Sequence, residues 1–351
     1  MRRIHQSVVL LVAVSAFSYA TPAFADDEGY DIDGMNFGSR SQYLNSDYFR
    51  DMGRRCGTPS LDELPFLPEY DILQTDCSLS STTISPTYDP GDTFEIPVVV
   101  HVISHTNGVG DISTAQVQSQ IDILNEDYMA IPGTPGSPGT MTGIQFRLEA
   151  INRVVSDSYF SCSYPCNTMK SALSWDTDLY LNIYTNSGAG LLGWATLPQQ
   201  SAGLPTDGVV CAWDAFGRNS PAAPYNQGRT TTHEVGHWLG LLHTFQSGCG
   251  VASVPGCYST ADLICDTNPD SPEHYFCTPG TTCGGYDVPI ENYMEYTNDT
   301  CMNNFTPEQM NRERCSMMTY RPNVYEIVAG DSIFADGFES GDTDAWSSVT
   351  P

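Results

Sequence analysis

The chain has very little positive charge. It carries 14 Lys and Arg against 42 Asp and Glu, which gives a net charge of -28 at pH 7, and Lys170 is its only lysine. Phosphate backbones and anionic lipids repel so acidic a surface, which excludes nucleic acid and charged membrane surfaces as partners. The acidity suits divalent cations, although we expect most of these carboxylates to form a solvated surface.

The chain also lacks a hydrophobic run long enough to cross a bilayer. Its most apolar stretch spans residues 8–16; Arg2 and Arg3 precede it, and Ala23-Phe24-Ala25 follows it. A basic start, a short apolar run and an AxA word are typical of a cleaved secretory signal. We therefore predict a signal peptide at 1–25 and a mature protein that passes the periplasm, becomes extracellular and does not insert into a membrane.

None of the 12 cysteines belongs to a CxxC pair, which excludes the usual structural zinc ribbon. Cysteines in an exported chain instead predict disulfide bonds, because compartments outside the cytoplasm are oxidising. Spacing alone leaves their connectivity open.

Composition divides the rest of the chain into three parts. Residues 26–90 are rich in Asp, Ser, Pro and Tyr without sustained periodicity, so we expect a pro-segment with little core of its own. Residues 91–322 carry regular patterns and form the expected main domain. Residues 323–351 lack apolar periodicity, and their FADGFESGD word resembles acidic tails of exported bacterial proteins.

Periodicity in the main domain predicts strands and helices together. The β-branched run 96–104 predicts a buried strand, and further strands are predicted at 144–151, 179–184 and 209–213. Ser113 and Thr306 each precede a Gln by three residues, which predicts the start of a helix at both positions.

The word HEVGHWLGLLH, from His233 to His243, concentrates the metal-binding chemistry of the chain. His233 and His237 are four residues apart, so on a helix both imidazoles can face one ion. Gly240 lets the chain leave the helix, because glycine tolerates positive φ, and His243 can then approach the same ion. Three histidines leave one position open for water, as in a catalytic zinc site, and Glu234 stands beside them as a general base.

Further along, Asn292 to Tyr296 reads NYMEY. HExxHxxGxxH followed by such a methionine turn resembles the metzincin metallopeptidases. NYMEY, the later word CMNNFTPEQ and the intervening DLICDTN look like the pappalysin family of metzincins, from about Ile96 to Arg314. The resemblance implies an α+β catalytic domain with a twisted mixed sheet, a zinc-binding helix and an irregular disulfide-rich C-terminal subdomain. Residues 188–198 would supply an edge strand that holds peptide substrates.

The resemblance also assigns roles around the zinc. Met294 would form an apolar floor under the ligands, and Tyr296 would stabilise the oxyanion that forms during hydrolysis. Asp299 matches the acid at the bottom of the pocket that receives the residue after the cleaved bond, where a carboxylate favours arginine or lysine. A plain surface aspartate is the competing interpretation of Asp299.

Residues 54–58, RRCGT, resemble the cysteine-switch word of metzincin zymogens. A thiolate is a strong zinc ligand, so Cys56 could take the open position and exclude the catalytic water. The competing interpretation is a disulfide, for instance with Cys77. If Cys56 is free, at least one of the other 11 cysteines is unpaired or bonded to another chain.

The family pattern further implies calcium and disulfides. Asp262, Asp266 and Thr267 fall on its calcium-site word, and calcium selects such oxygen ligands; a polar surface loop is the alternative. Two cysteine pairs match disulfides of the family, Cys249 with Cys283 and Cys277 with Cys301. Cys257 and Cys265 are additional in this chain and could pair with each other.

Together these patterns predict a secreted, monomeric zinc endopeptidase, made as a zymogen, that cleaves proteins or peptides on the amino side of Arg or Lys. One alternative is an inactive secreted module that binds zinc and calcium; retention of Glu234 argues against it, since zinc binding does not require that residue. Another is a disulfide-rich adhesion protein with a structural metal. Three histidines without a fourth protein ligand argue against that one.

One property of the chain conflicts with self-activation. Members of the family cut themselves before a basic residue at the pro-segment boundary, yet no Arg or Lys lies between Arg55 and Arg147. Either another protease removes the pro-segment, or the predicted specificity is wrong.

Overall fold

The computed structural model describes residues 29–59, 85–254 and 256–328. The predicted signal peptide, Cys77 and most of the predicted acidic tail lie outside these ranges. Within them, no helix is both long and apolar enough to span a bilayer. We call residues 29–59 the N-terminal segment and residues 85–328 the main domain.

The strands are β1 (Asp31–Ile32), β2 (Met35–Asn36), β3 (Thr93–Ser104), β4 (Ile144–Val155), β5 (Leu181–Asn186), β6 (Gly193–Trp194), β7 (Val209–Ala212), β8 (Thr281–Thr282), β9 (Tyr286–Asp287) and β10 (Glu326–Val328). The α-helices are α1 (Arg40–Leu44), α2 (Asp47–Asp51), α3 (Thr114–Tyr128), α4 (Asp157–Phe160), α5 (Asn167–Leu173), α6 (Pro198–Ser201), α7 (Arg229–Trp238) and α8 (Pro307–Tyr320). Short 3₁₀ turns occupy Gly188–Gly190, Trp213–Ala215 and Gly256–Ser259.

One mixed sheet organises the main domain. The long strand β3 pairs in parallel with β4 on one side and with β5 on the other, and β5 continues in parallel to β7. Strand β6 runs antiparallel to β7 and closes that end of the sheet. The apolar run of β3 is buried along almost its whole length, as its β-branched composition predicts.

The structure differs from the predicted elements in four places. Strand β4 continues to Val155 and β5 begins two residues late. The predicted edge strand at 188–198 is reduced to the two residues of β6, with a 3₁₀ turn before it. Residues 326–328, expected in the tail, pair with the start of β3.

The two predicted helix starts are present. The side chain of Ser113 accepts a hydrogen bond from the backbone of Gln116 at the start of α3. Thr306 and Gln309 form a reciprocal capping box at the start of α8, with Pro307 at its first position. Helix α8 ends at Tyr320, shortly before Pro322. Helix α7, which carries the histidines, packs against β7, β6 and α3.

The region between α7 and α8 has little regular structure and is held by disulfides. The bonds are Cys249–Cys283, Cys257–Cys265 and Cys277–Cys301. A further bond, Cys162–Cys166, lies before β5, and Cys315 is also disulfide-bonded. The α+β architecture with a mixed sheet and an irregular disulfide-rich C-terminal part confirms the predicted fold class.

The N-terminal segment packs against the main domain and contributes to its core. Tyr43 and Phe49 have no exposed surface, and Leu44 has 2%. All three belong to the same apolar cluster as the strands of the sheet. The segment therefore uses the core of the main domain, in keeping with its weak periodicity.

Candidate active site

Helix α7 and the turn after it bring three imidazoles together. The Nε2 atom of His237 lies 3.2 Å from that of His233 and 3.1 Å from that of His243. Gly240 has a φ of +97°, and the adjacent Leu241 amide donates to the carbonyl of Gly236. This glycine turn ends the helix and returns His243 toward the first two histidines.

Backbone carbonyls fix the orientation of two of these rings. His233 Nδ1 donates to the Tyr293 carbonyl at 2.7 Å, and His237 Nδ1 donates to the Leu241 carbonyl at 2.8 Å. With the proton on Nδ1, each Nε2 presents a lone pair to the site. Burial lowers the pKa of all three histidines, that of His237 to about 4. Three converging neutral imidazoles need a cation between them, and this donor set fits zinc.

Glu234 points into the same space from α7. Its Oε2 accepts from Thr58 Oγ1 at 3.1 Å and from Cys56 Sγ at 3.3 Å. Its buried Oε1 has no hydrogen-bond partner among the described residues. Burial raises the pKa of Glu234 to about 8. The side chain thus lies beside the metal site, and its raised pKa means that it holds a proton more tightly than an exposed glutamate does.

Cys56 of the N-terminal segment is the fourth side chain at the histidine cluster. Its Sγ and the ligand nitrogens of the three histidines all lie within 4.8 Å of one another. Cys56 is a free, buried cysteine, and so is Cys211, which agrees with the expectation of another unpaired cysteine. Burial raises the pKa of the Cys56 thiol and Glu234 adds to the effect, whereas a divalent cation beside the sulfur favours the thiolate.

Met294 lies directly beneath the helix. A Cβ built on Gly236 would come within 2.5 Å of the Met294 Sδ, so the glycine allows the methionine to approach the helix between two of the histidines. Sequence reasoning did not single out Gly236. A glycine inside a helix lowers its stability, so its presence indicates that another side chain packs closely against the helix there. The sequence contained this signal at Gly236.

The hydroxyl of Tyr296 faces the cleft. It donates to the carbonyl of Cys56 at 3.4 Å, and its ring centroid lies 5.0 Å from that of His243. The hydroxyl therefore lies beside the histidines, with a peptide carbonyl of the N-terminal segment as its acceptor.

Asp299 is buried against Arg55 of the N-terminal segment. Its Oδ1 is 3.5 Å from Arg55 Nη2, and neither side chain is exposed. Its Oδ2 accepts from the backbone amides of Gln227 and Arg229 at 2.8 and 3.2 Å. Burial raises the pKa of Asp299, and the charge of Arg55 opposes this shift. The surface-aspartate interpretation is therefore wrong.

Other groups around Arg55 also suit a guanidinium. Arg55 Nη1 donates to Thr230 Oγ1 at 2.6 Å, and its guanidinium carbon lies 4.9 Å from the ring centre of Tyr225. Sequence reasoning noted Arg55 only as part of the RRCGT word. Its pairing with Asp299 depends on a contact across most of the chain, for which the sequence contains no local signal.

The N-terminal segment runs along residues 190–196, which we call the rim segment and which include β6. The Leu192 amide donates to the Arg54 carbonyl at 3.2 Å, and the Gly57 amide donates to the Gly193 carbonyl at 2.8 Å. Thr58 Oγ1 then accepts from the Ala195 amide at 2.8 Å. Residue numbers increase in the same direction along both segments, so the N-terminal segment lies parallel to the rim segment.

Asp207, which the sequence analysis did not single out, links the rim to helix α7. Its Oδ1 accepts from Thr196 Oγ1 at 2.9 Å and from Arg321 Nη2 at 2.7 Å. Its Oδ2 accepts from the Trp238 indole at 3.1 Å. One buried carboxylate thus fixes the position of the rim segment relative to the end of α7.

The three residues of the predicted calcium site form two separate sets of hydrogen bonds. Asp262 accepts from Thr267 Oγ1 at 2.7 Å, but the carboxylate of Asp266 faces α8. It accepts from Thr306 Oγ1 at 2.6 Å and from the Glu308 amide at 2.8 Å. Asp266 therefore caps a helix in this structure.

Comparisons with known proteins identify the family of the chain. A peptidase family described as pregnancy-associated plasma protein-A matches residues 167–318. The extracellular metalloprotease of Colletotrichum graminicola is 32% identical over 282 residues, which cover 76% of this chain and 91% of the relative. The chain belongs to the pappalysin family. A second extracellular metalloprotease, from Trichophyton verrucosum, is 32% identical over 278 residues, which cover 76% of this chain and 92% of the relative.

Solved structures agree with this pappalysin assignment. Promirolysin of Tannerella forsythia is 32% identical, with a TM-score of 0.57 over 71% of this chain and 87% of that one. Mature mirolysin of the same organism, in complex with a cleaved peptide, is 33% identical, with a TM-score of 0.52 over 67% and 98%. The chain is thus a zinc metalloendopeptidase that acts on polypeptides, and its relatives are extracellular enzymes.

Proposed function

We propose that this pappalysin is exported as a latent zymogen and that its mature form cleaves polypeptides on the amino side of arginine or lysine. The observation that carries the proposal is the arginine already bound in the pocket. Arg55 lies against the buried carboxylate of Asp299, one residue from a cysteine that faces the histidines. The signal-like residues 1–25 support passage through the periplasm, and we propose that the mature enzyme acts as a monomer.

His233, His237 and His243 would hold the zinc through their Nε2 atoms. Zinc bound by three imidazoles supplies a Lewis acid that makes water nucleophilic near neutral pH and polarises a peptide carbonyl. Glu234 accepts the proton of the attacking water on a carboxylate oxygen and transfers it to the leaving amine. Tyr296 donates from its hydroxyl to the substrate oxygen that gains negative charge. Met294 packs under the histidines and does not touch the substrate.

Two contacts of the N-terminal segment would maintain latency. The Cys56 sulfur occupies the side of the metal site that water needs, and Arg55 fills the Asp299 pocket that a substrate needs. The segment also uses hydrogen-bonding groups of the rim at Leu192 and Gly193. Removal of residues 26–90 would therefore release the water site, the pocket and the rim together.

Another protease would perform the activating cut. The connection between the N-terminal segment and the main domain contains no Arg or Lys, because none lies between Arg55 and Arg147. An enzyme that cuts before basic residues cannot divide its own chain in that stretch. The proposed specificity and the absence of self-activation are therefore consistent with each other.

We retain calcium as part of the proposal, with Asp262 and Thr267 as ligands. Their side-chain oxygens lie together, and both residues are buried, which suits a hard cation. Titration of the metal-free protein with calcium, followed by thermal unfolding, tests this. A calcium-dependent rise in Tm that Asp262→Asn abolishes is expected, and an unchanged Tm in the unsubstituted protein would remove calcium from the proposal.

The decisive experiment compares the trimmed, zinc-loaded enzyme with its Glu234→Ala variant on a mixed peptide library. Mass spectrometry identifies the new amino termini. Glu149→Ala is the matched control, because Glu149 is exposed and lies outside the cleft. New termini that begin with Arg or Lys in the enzyme and the control, but not in Glu234→Ala, are expected.

The other outcomes separate the parts of the proposal. Cuts before other residues would leave the peptidase and overturn the specificity. A folded, trimmed and zinc-loaded sample without Glu234-dependent cuts would favour an inactive zinc-binding module instead.

A further inference from the structure

A second arginine of the N-terminal segment occupies a second acidic position on the main domain. Arg40 Nε donates to Asp214 Oδ2 at 2.8 Å, and its Nη2 donates to Oδ1 at 3.3 Å. The two side chains are 15% and 7% exposed. Parallel hydrogen bonds of this kind recognise the planar guanidinium of arginine better than the ammonium of lysine.

Arg40 supplies the side-chain hydrogen bonds of the Asp214 carboxylate. In the part of the chain that the structure describes, Arg40 is the only side chain that donates to the Asp214 carboxylate. The remaining guanidinium nitrogen donates to the Tyr30 hydroxyl at 2.6 Å, so it is satisfied within the N-terminal segment. Loss of that segment would leave the carboxylate without a donor on a strongly acidic protein, and a cationic side chain would stabilise it.

The Asp214 position continues the cleft. Asp214 follows β7 by two residues, and Ala212 at the end of β7 donates to the Leu192 carbonyl of the rim segment at 2.7 Å. The Tyr43 hydroxyl donates to the Gly190 carbonyl at 2.6 Å, so the chain around Arg40 lies at the Gly190 end of the rim.

The direction of the bound segment shows which side of a substrate would reach Asp214. Cys56 faces the metal site, Arg55 fills the pocket for the residue after the cleaved bond, and Arg54 pairs with Leu192. This order places the Leu192 end of the rim on the carboxyl side of the cleaved bond. The Gly190 end, where Arg40 binds, lies further along the same side.

We infer that Asp214 forms a second substrate-binding site in the mature enzyme, which takes an arginine side chain downstream of the cleaved bond. This site rests on the proposed removal of the N-terminal segment, because Arg40 fills it until then. Substrates would therefore be proteins or long peptides with at least two basic positions. The first would enter the Asp299 pocket, and the second would bind at Asp214.

The test uses the trimmed enzyme and pairs of peptides. One peptide has a single arginine at the cleavage position; its partners add a second arginine on the carboxyl side, after Gly/Ser spacers of increasing length. At the best spacer we expect kcat/KM to rise about tenfold, as for one charge-assisted contact at the edge of a cleft. Replacement of the second arginine by citrulline, which is uncharged, should remove the rise, and lysine should give a smaller one.

Variants assign the effect to the carboxylate. Asp214→Asn should abolish the preference for the second arginine, with zinc content and Tm measured to verify folding. Glu149→Gln should retain the preference, because Glu149 is exposed on β4, across the sheet from β7 and β6. The preference is the ratio of kcat/KM for two peptides, so a general loss of activity lowers both values and leaves the ratio unchanged.

A binding measurement separates this inference from the proposed function. A fluorescent peptide that carries only the downstream arginine, without a cleavage position, is titrated into the trimmed enzyme and into Asp214→Asn. Binding that depends on both the arginine and Asp214 supports the site even if the enzyme cuts before other residues. Equal binding of the arginine and citrulline peptides, or equal cleavage at every spacer, would overturn it while leaving the peptidase intact.

Discussion

The guanidinium of Arg55 and the carboxylate of Asp299 meet in the interior of the protein, 3.5 Å apart with neither side chain exposed. Removing two charges from water is costly unless they compensate each other, so each residue of such a pair depends strongly on the other. Two backbone amides also donate to Asp299 and hold its carboxylate in place. An arginine that replaced Arg55 would find every one of these partners already positioned.

Replacing the pocket acid should change specificity more than catalysis. Asp299→Asn removes the charge and retains the shape, so kcat/KM for a peptide with arginine after the cleaved bond should fall about 100-fold. Peptides with methionine or leucine at that position should lose much less. Steady-state kinetics on the matched peptides measures this, with Glu149→Gln as a control for removal of a surface carboxylate. An equal loss for all peptides would assign Asp299 a structural role only.

Replacing the switch cysteine should make the uncut chain active. Cys56→Ser removes the thiolate ligand, so a zinc-loaded, full-length protein should hydrolyse a small peptide substrate that the unsubstituted protein leaves intact. Arg55→Ala alone should activate less, because the sulfur still occupies the metal site, and the double variant should be the most active. Intact-mass analysis must show that each sample is uncut. An inactive Cys56→Ser chain that becomes active once trimmed would show that the Arg55 contact and the rim contacts maintain latency without the thiol.

The local geometry of the metal site could be predicted from sequence because covalent spacing determines it. Residues four apart on a helix share a face, and a glycine at positive φ ends a helix, so His233, His237 and Gly240 have little freedom. The strand at 96–104 and the caps at Ser113 and Thr306 are local in the same sense. The residues that stabilise these elements are close to one another in the sequence, so a local pattern is enough to predict them.

The contacts that close the site are not local, and the sequence did not predict them. Arg55 and Asp299 are 244 positions apart, so their meeting depends on how the whole domain folds. Asp266 matched a calcium-site word but accepts hydrogen bonds at the start of α8. The same carboxylate could serve as a cation ligand or as a helix cap, and its position in the folded domain places it at the start of α8.

Adding one methyl group beneath the histidines should weaken the metal site. In Gly236→Ala the new Cβ would lie 2.5 Å from the Met294 Sδ, so the methionine or the helix must move. Overpacking of this kind typically costs about 1–3 kcal/mol, and we expect a lower Tm together with weaker zinc binding. Gly91→Ala is the matched control, since a Cβ at Gly91 meets no atom within 4 Å. Calorimetry and zinc titration measure both effects; unchanged zinc affinity would separate the methionine from the metal site.

Removing zinc should abolish activity without unfolding the protein. The three histidines extend from a helix and a turn that are stabilised by the sheet and the core cluster, so the fold does not depend on the ion alone. A chelator should therefore eliminate peptide cleavage. It should lower the free energy of unfolding by only the contribution of zinc binding, about 4 kcal/mol when zinc is at a thousandfold excess over its Kd, and the Tm should fall accordingly. Circular dichroism and activity are followed in the same sample, and added zinc should restore activity. Cooperative unfolding on chelation would indicate a structural metal instead.

A single new arginine should allow the enzyme to activate itself. The stretch between Arg55 and Arg147 contains no basic residue, so the unsubstituted zymogen should remain uncut during long incubation with a trace of trimmed enzyme. Ser80→Arg introduces one basic position between the N-terminal segment and the main domain, and we expect cleavage on its amino side with the simultaneous appearance of activity. Ser80→Gln is the control for the substitution itself, and a trace of Glu234→Ala enzyme should not start the reaction. Amino-terminal sequencing identifies the cut. If the Ser80→Arg chain is cut elsewhere, or if the unsubstituted chain trims itself at the same rate, specificity for basic residues does not explain why this zymogen needs another protease.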